Sequence, residues 1–259
     1  MAVMHRFVVA AAIGLLSIAA SGCLEIEQAL TLERDLSGTA GFSLNLDLEP
    51  LVPLMATMKK SMEGGGAPTA AELEAARKEM LGSQKSNLGD FEKDRKEFES
   101  QLPAGITLLD AKAKEDGLKM AASFLLGFDQ VAKLKKIRMP KSGERADAAG
   151  GSAVDSPFGG LDVVTEGQTI LVTSAVQNPV ADQQKQAEEM PVDAGGLAMI
   201  EQLFKGVRIA FKITSPLEVV EHNAHRRDGT TLVWDYNLTT LKQLTPDQLK
   251  QGVRVRFRK

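Results

Sequence analysis

The chain has 259 residues, 43% of them hydrophobic and 25% charged, with a formal net charge of −3. That composition belongs to a globular chain, neither disordered nor built mainly of membrane spans. The absence of a basic excess argues against a nucleic-acid partner, and one Trp and one Tyr offer little for stacking sugars or bases.

The chain opens with a basic residue, Arg6, before an apolar run from Phe7 to Leu16. Small residues follow at Ala19, Ala20, Ser21 and Gly22, and then the sole cysteine, Cys23. A charged start, a short apolar stretch and a small-residue zone form the layout of a secretory signal peptide. Phe7–Ala20 is too short for the roughly 20 residues of a spanning helix. The stretch Ala20-Ser21-Gly22-Cys23 resembles the lipobox of bacterial lipoproteins. By that resemblance residues 1–22 are a signal peptide, Cys23 is the lipidation site and new N-terminus, and lipid on Cys23 is the membrane attachment. Leu24 stands where Asp commonly signals inner-membrane retention, so the resemblance implies the periplasmic face of the outer membrane. Loss of Arg6 leaves 30 basic against 34 acidic residues, a mature net charge of −4. With Cys23 acylated, no thiol remains for a disulfide, a metal site or a nucleophile.

From Leu24 to Leu48 the alternation has period two. Leu24, Ile26, Leu30 and Leu32 precede the turn residues Arg34 to Gly38, and Ala40, Phe42, Leu44, Leu46 and Leu48 follow. This predicts a half-buried hairpin beginning next to Cys23. From about 50 to 102 the period becomes helical. Leu51, Leu54, Met55 and Met58 mark a first apolar stripe. Thr69-Ala70-Ala71-Glu72 has the form of a capping box before Leu73, Ala76, Met80 and Leu81. Leu88, Phe91, Phe98 and Leu102 mark a further segment. The expectation is an amphipathic helical insertion packed on the sheet, with a membrane-facing or partner-facing helix as the alternative.

Period two returns at Ile106. Glu115-Asp116-Gly117 is a hairpin signal, and Leu118, Met120, Ala122, Phe124, Leu126 and Phe128 make a continuous apolar face. Asp129 is expected to cap a short helix carrying Val131, Leu134 and Ile137. Mobile loops are expected at about 141–157 and 178–194. Between them, strands at Leu161–Thr165 and Thr169–Val176 turn at Glu166-Gly167. A helix with Leu197, Ile200, Leu203 and Phe204 on one face follows the second loop. Strands are then expected at Val207–Ile213, Leu217–Asn223 and Leu232–Leu238. Thr245-Pro246-Asp247-Gln248 opens a short helix, and Val253, Val255 and Phe257 alternate with Arg254, Arg256 and Arg258. The segment IAFKITSPLEVVEHNA…DGTTLVWDYNL, with Pro216, Asn223, Gly229 and Trp234, resembles the mycobacterial LppM-type envelope lipoproteins and their wider bacterial relatives. That resemblance implies lipid or glycolipid binding.

Candidate chemistry is sparse. His222, His225 and Asp228 are residue types that bind zinc, but residues three apart on a strand point to opposite faces, so surface turn residues are the reading and no metal is assigned. Gly64-Gly65-Gly66 and Gly159-Gly160 lack the Lys-Ser/Thr of a phosphate-binding loop. The sequence carries no G-x-S-x-G elbow. Arg254, Arg256 and Arg258 share one strand face and are candidates for contact with an anionic lipid surface; the alternative is an edge strand kept soluble by charge. The sequence therefore predicts a signal peptide and one periplasmic α+β domain, residues 23–259, with an antiparallel sheet of hairpins against helices. It predicts a lipid-anchored, non-enzymatic envelope protein without cofactor, binding a lipid, a glycolipid or an envelope partner. The alternatives are an accessory protein of an envelope assembly and, behind it, a metal-dependent hydrolase.

Overall fold

The alternation from Leu24 to Asp47 folds as two antiparallel strands, β1 (Leu24–Leu32) and β2 (Gly38–Asp47). The structure, a computed structural model, describes residues 24–62, 65–85, 91–138, 157–176 and 206–259. The leader, Cys23, the loop at 178–194, the expected helix through Phe204 and all but Pro157 of the loop at 141–157 lie outside them.

Two helices follow β2: α1 (Leu51–Met62) and α2 (Ala70–Lys85). A third, α3 (Phe91–Ser100), leads to the hairpin of β3 (Ile106–Asp116) and β4 (Lys119–Phe128). A 3₁₀ helix (Val131–Lys136) closes this half. Beyond it lie the hairpin β5 (Leu161–Glu166) and β6 (Thr169–Ser174), then β7 (Val207–Thr214), β8 (Glu218–His222), β9 (Arg226–Asp228) and β10 (Thr231–Asn237). The chain ends with α4 (Leu238–Gln243), α5 (Pro246–Gln251) and β11 (Val253–Arg258).

The described strands form two sheets. One has the order β3-β4-β2-β1-β7-β10-β9 and the other β5-β6-β11-β8. The α+β class and the hairpins are as the alternation implies, but one joint is parallel: β1 lies beside β7, with Leu24 opposite Val207. The inner faces of both sheets share one core. Ile26, Phe42, Leu126, Phe211 and Trp234 from the larger sheet meet Ile170, Val172, Val255 and Phe257 from the smaller. The second sheet, more than the helical insertion, covers the first.

The helical pair has its own small core, Val52 and Ala56 of α1 against Ala76 and Met80 of α2, closed by Leu118. Leu118 sits in the two-residue turn of the β3–β4 hairpin, not within the strand, and is only 1% exposed. The pair thus caps the end of the sheet where β1 begins. The capping box forms as expected: the Thr69 N–H donates to Glu72 at 2.7 Å, and the Glu72 N–H to the Thr69 hydroxyl at 3.4 Å. The Lys60 ammonium, then the Thr69 N–H and hydroxyl, bring the Glu72 carboxyl down to about 2.

Three further expectations are corrected. Asp129 does not cap the short helix; Gln130 holds the cap position and Asp129 accepts from Lys133 at 2.7 Å. Leu238 begins α4 rather than ending a strand, because Asn237 and Thr240 form a reciprocal capping box. The C-terminal strand is not an edge: β11 lies between β6 and β8.

Candidate functional site

Besides the shared core, the Asn223 side chain links the two sheets by hydrogen bonds. The Asn223 Oδ1 accepts from the Trp234 indole N–H and from the Arg254 backbone N–H, each at 2.8 Å. Its Nδ2 donates to the Gly252 carbonyl at 2.7 Å. Trp234 is fully buried on β10 of the larger sheet, while Gly252 and Arg254 flank the start of β11 in the smaller. Gly252 has φ +47°, and a Cβ there would stand 2.1 Å from the Ser174 carbonyl oxygen, so the close approach of the two segments requires glycine.

The outer face of the smaller sheet carries the arginine row, and its charge is met within the sheet. Arg254 lies 3.5 Å from Glu221, Arg256 pairs with Glu166 and lies 3.6 Å from Glu221, and Arg258 lies 2.8 Å from Glu218. Three glutamates thus face three arginines: Glu218 and Glu221 on the adjacent β8 form cross-strand pairs, and Glu166 reaches Arg256 from the end of β5, beyond β6. The outer face of the larger sheet is similar. The Arg208 guanidinium grips Asp235 with Nε at 3.0 Å and Nη2 at 2.7 Å, and also pairs with Glu25, while Lys212 meets Glu27 at 2.7 Å. The Asp235 hydrogen bonds, followed by those of Glu25, raise the Arg208 pKa against the lowering effect of burial.

The histidines do not converge. His222 Nδ1 accepts from the Ala224 N–H at 3.1 Å, and His225 Nδ1 accepts from the Asp235 N–H at 3.0 Å. His225 packs edge-on against Tyr236 with ring centres 4.8 Å apart. Asp228 is engaged by Arg226 at 2.8 Å. Among the described residues no group of three metal-ligating side chains forms.

The apolar inner face of the larger sheet is not covered along its whole length. Toward its middle, Phe124 stacks on Phe42 at 5.4 Å, meets Phe98 of α3 at 5.3 Å and touches Phe158 edge-on at 6.4 Å. Beyond this plug, the next positions of the same strands leave a half-open groove of about 340 Å³. Leu44, Leu46, Phe91, Ala113, Met120 and Ala122 line it, with Lys114 and Glu115 at its rim. Ala122 is exposed and Met120 half-buried, where a continuous core face is expected from the sequence. The groove is small but within the size range of ligand sites. It lies at the end where the chain enters the fold, since Leu46 pairs with Leu24 on one side and Met120 on the other. The signal that pointed to it was the unbroken apolar face of β4; what covers each part of that face was not readable.

No family model matches the chain, and no curated protein matches it. Among solved structures it is similar to the folded domain of Mycobacterium tuberculosis LppM, determined by NMR, with a TM-score of 0.40 and 10% identity over 95% of each chain. At that distance the likeness carries no argument about function.

Proposed function

We propose that the chain is a non-enzymatic, lipid-anchored protein of the cell envelope, attached through Cys23, whose groove takes an acyl chain of a lipid or glycolipid. The observation that supports this reading is the place of the groove. Its apolar walls open at the Leu24 end of the sheet, one residue from the cysteine that would carry the anchor. A lipid drawn from the same membrane would reach the groove without crossing the body of the domain. Leu44, Leu46 and Met120 offer the apolar contact, and Glu115, opposite Met120 on the same face, offers a polar group beside it.

The test is native mass spectrometry of the chain expressed with its leader and recovered from the envelope. Acylation adds a discrete mass at the peptide beginning with Cys23. A further lipid, bound non-covalently and released on denaturation, is the result expected for the groove. A protein free of bound lipid after incubation with extracted envelope lipids would refute groove binding and leave an accessory role in an envelope assembly as the better reading.

A further inference from the structure

The helix α1 leaves part of its apolar stripe open to solvent. Leu51, Leu54, Met55 and Met58 stand at i, i+3, i+4 and i+7, the spacing of a face to be buried. Yet α1 packs on α2 through Val52 and Ala56 instead, at 6% and 3% exposure, while Met55 and Met58 are 38% and 45% exposed. Leu51, at the head of the stripe, also packs on this small core and Leu54 is half-buried, so the part of the stripe left to solvent is Met55 and Met58. Of the five large hydrophobic residues described as exposed, these two alone share a stripe; Leu109, Val164 and Val220 lie apart on β3, β5 and β8.

The position of α1 says what meets that stripe. Leu24 pairs with Leu46 across the first hairpin, and α1 begins five residues beyond Leu46. Its first turn therefore lies within roughly 25 Å of Leu24, from the reach of an extended chain and the spacing of paired strands. Twenty-three residues precede Leu24, and they hold the apolar run Phe7–Leu16 and Cys23. Whether the run itself or a lipid on Cys23 enters the bilayer, the membrane meets the chain at this end. The charges beside the stripe are largely matched: Lys59 lies 3.6 Å from Glu79, Lys60 pairs with Glu72, and Arg77 pairs with Glu49. Such a surface suits shallow apolar insertion better than attraction to a charged headgroup layer.

We infer that α1 is a second membrane contact, which lays Leu54, Met55 and Met58 into the surface of a phospholipid bilayer beside the N-terminal attachment. The inference rests on the membrane attachment proposed above but not on the groove. Methionine suits such a contact, being flexible and apolar. Two weak attachments together hold a protein to a membrane far better than one, and a contact at α1 also fixes how the domain stands on the surface.

The test uses the full chain reconstituted in vesicles of phosphatidylethanolamine and phosphatidylglycerol containing nitroxide-labelled lipid. A fluorophore is placed through Met55→Cys, Met58→Cys, Leu109→Cys or Val164→Cys. All four positions are exposed, and unchanged emission from Trp234 verifies the fold; the chain without an added cysteine gives any signal from Cys23. Quenching about threefold or more stronger at 55 and 58 than at 109 and 164 is expected for insertion of α1. Equal quenching at all four positions would overturn the inference. So would disulfide-linked dimers formed by the unlabelled Met58→Cys variant but not by the parent chain, which would assign the stripe to a second copy. Failure of the chain to join vesicles at all would overturn both this contact and the proposed anchoring. Vesicle-bound protein that holds a groove lipid but is unquenched at 55 and 58 would remove α1 alone.

Discussion

Replacing Asn223 by alanine tests the joint between the two sheets. The side chain makes three hydrogen bonds, to the Trp234 indole, the Arg254 N–H and the Gly252 carbonyl. At about 1 kcal/mol net for each bond, their loss amounts to about 3 kcal/mol. Asn223 is itself exposed, so water can enter the space left by truncation and serve the Arg254 and Gly252 backbone groups. Trp234 is fully buried, and its N–H is the group least readily served. The expected loss is therefore about 2 kcal/mol, read from urea unfolding as a lower midpoint at unchanged slope. The chain has a single Trp, so its emission reports this joint alone; it should shift to the red and become more accessible to a soluble quencher. Asn223→Asp keeps an acceptor for both N–H groups but sets a carboxylate against the Gly252 carbonyl, so it should fall between the two. In a Trp234→Phe background, followed by circular dichroism, Asn223→Ala should cost about 1 kcal/mol less, the coupling lost with the indole N–H. A loss below about 0.5 kcal/mol with unchanged Trp emission would refute the claim that this side chain joins the sheets.

Ala122→Trp fills the groove from its own wall; because Ala122 is exposed, the variant should fold with a near-parental melting temperature yet lose bound lipid in native mass spectrometry. Replacing Arg254, Arg256 and Arg258 together by Gln removes the pairs with Glu166, Glu218 and Glu221. It should lower the melting temperature more at low salt than at high salt, and leave the depth of the α1 label in vesicles unchanged. Burial pushes the Tyr236 hydroxyl up to about 12 from an ordinary 10.0. Its stabilising effect is therefore complete below pH 10 and lost as pH rises through about 12, because the unfolded chain releases the proton first. The single Tyr lets phenolate absorbance follow this directly in native and urea-unfolded protein. Gly252→Ala places a methyl group 2.1 Å from the Ser174 carbonyl oxygen at φ +47° and should cost at least about 3 kcal/mol in urea unfolding.

Local chemistry was legible in the sequence wherever a few adjacent residues decide the outcome. The alternation of Leu24–Asp47 and the box at Thr245–Gln248 fold as their patterns imply, and the Asp116-Gly117 signal marks the β3–β4 hairpin, although the turn itself is Gly117-Leu118. Partners far along the chain were not legible. Alternation says that Leu24, Ile26 and Leu30 face a core, but not that β7, 183 residues beyond β1, lies beside them in parallel. The same limit explains the division into two sheets, since an apolar face does not name what covers it. At α1 the larger stripe suggested the buried side, and the close contact of Val52 and Ala56 with α2 won. Leu238 continued the alternation of β10, but the overlooked Asn237-x-x-Thr240 box starts a helix there. Sequence alone leaves the arginine row as a candidate lipid-surface contact or an edge guard, because its carboxylate partners lie on β8 and at the end of β5, outside any local window.

The distribution of charge separates the two candidate modes of membrane contact. Arg254, Arg256 and Arg258 face glutamates of the same sheet, and the chain carries a net −3. Bringing that face to an anionic surface would also bring Glu166, Glu218 and Glu221, so the attraction of each arginine is offset at a distance of a few ångströms. At the Leu24 end charges are paired as well, Lys60 with Glu72 and Arg77 with Glu49, but apolar groups also lie open there. The open apolar groups there are Met55 and Met58 of α1 and the apolar lining of the groove, whose gain on leaving water scales with area and is not screened by salt. The fold therefore leaves apolar surface open at the Leu24 end and pairs the charges of the arginine row within the smaller sheet.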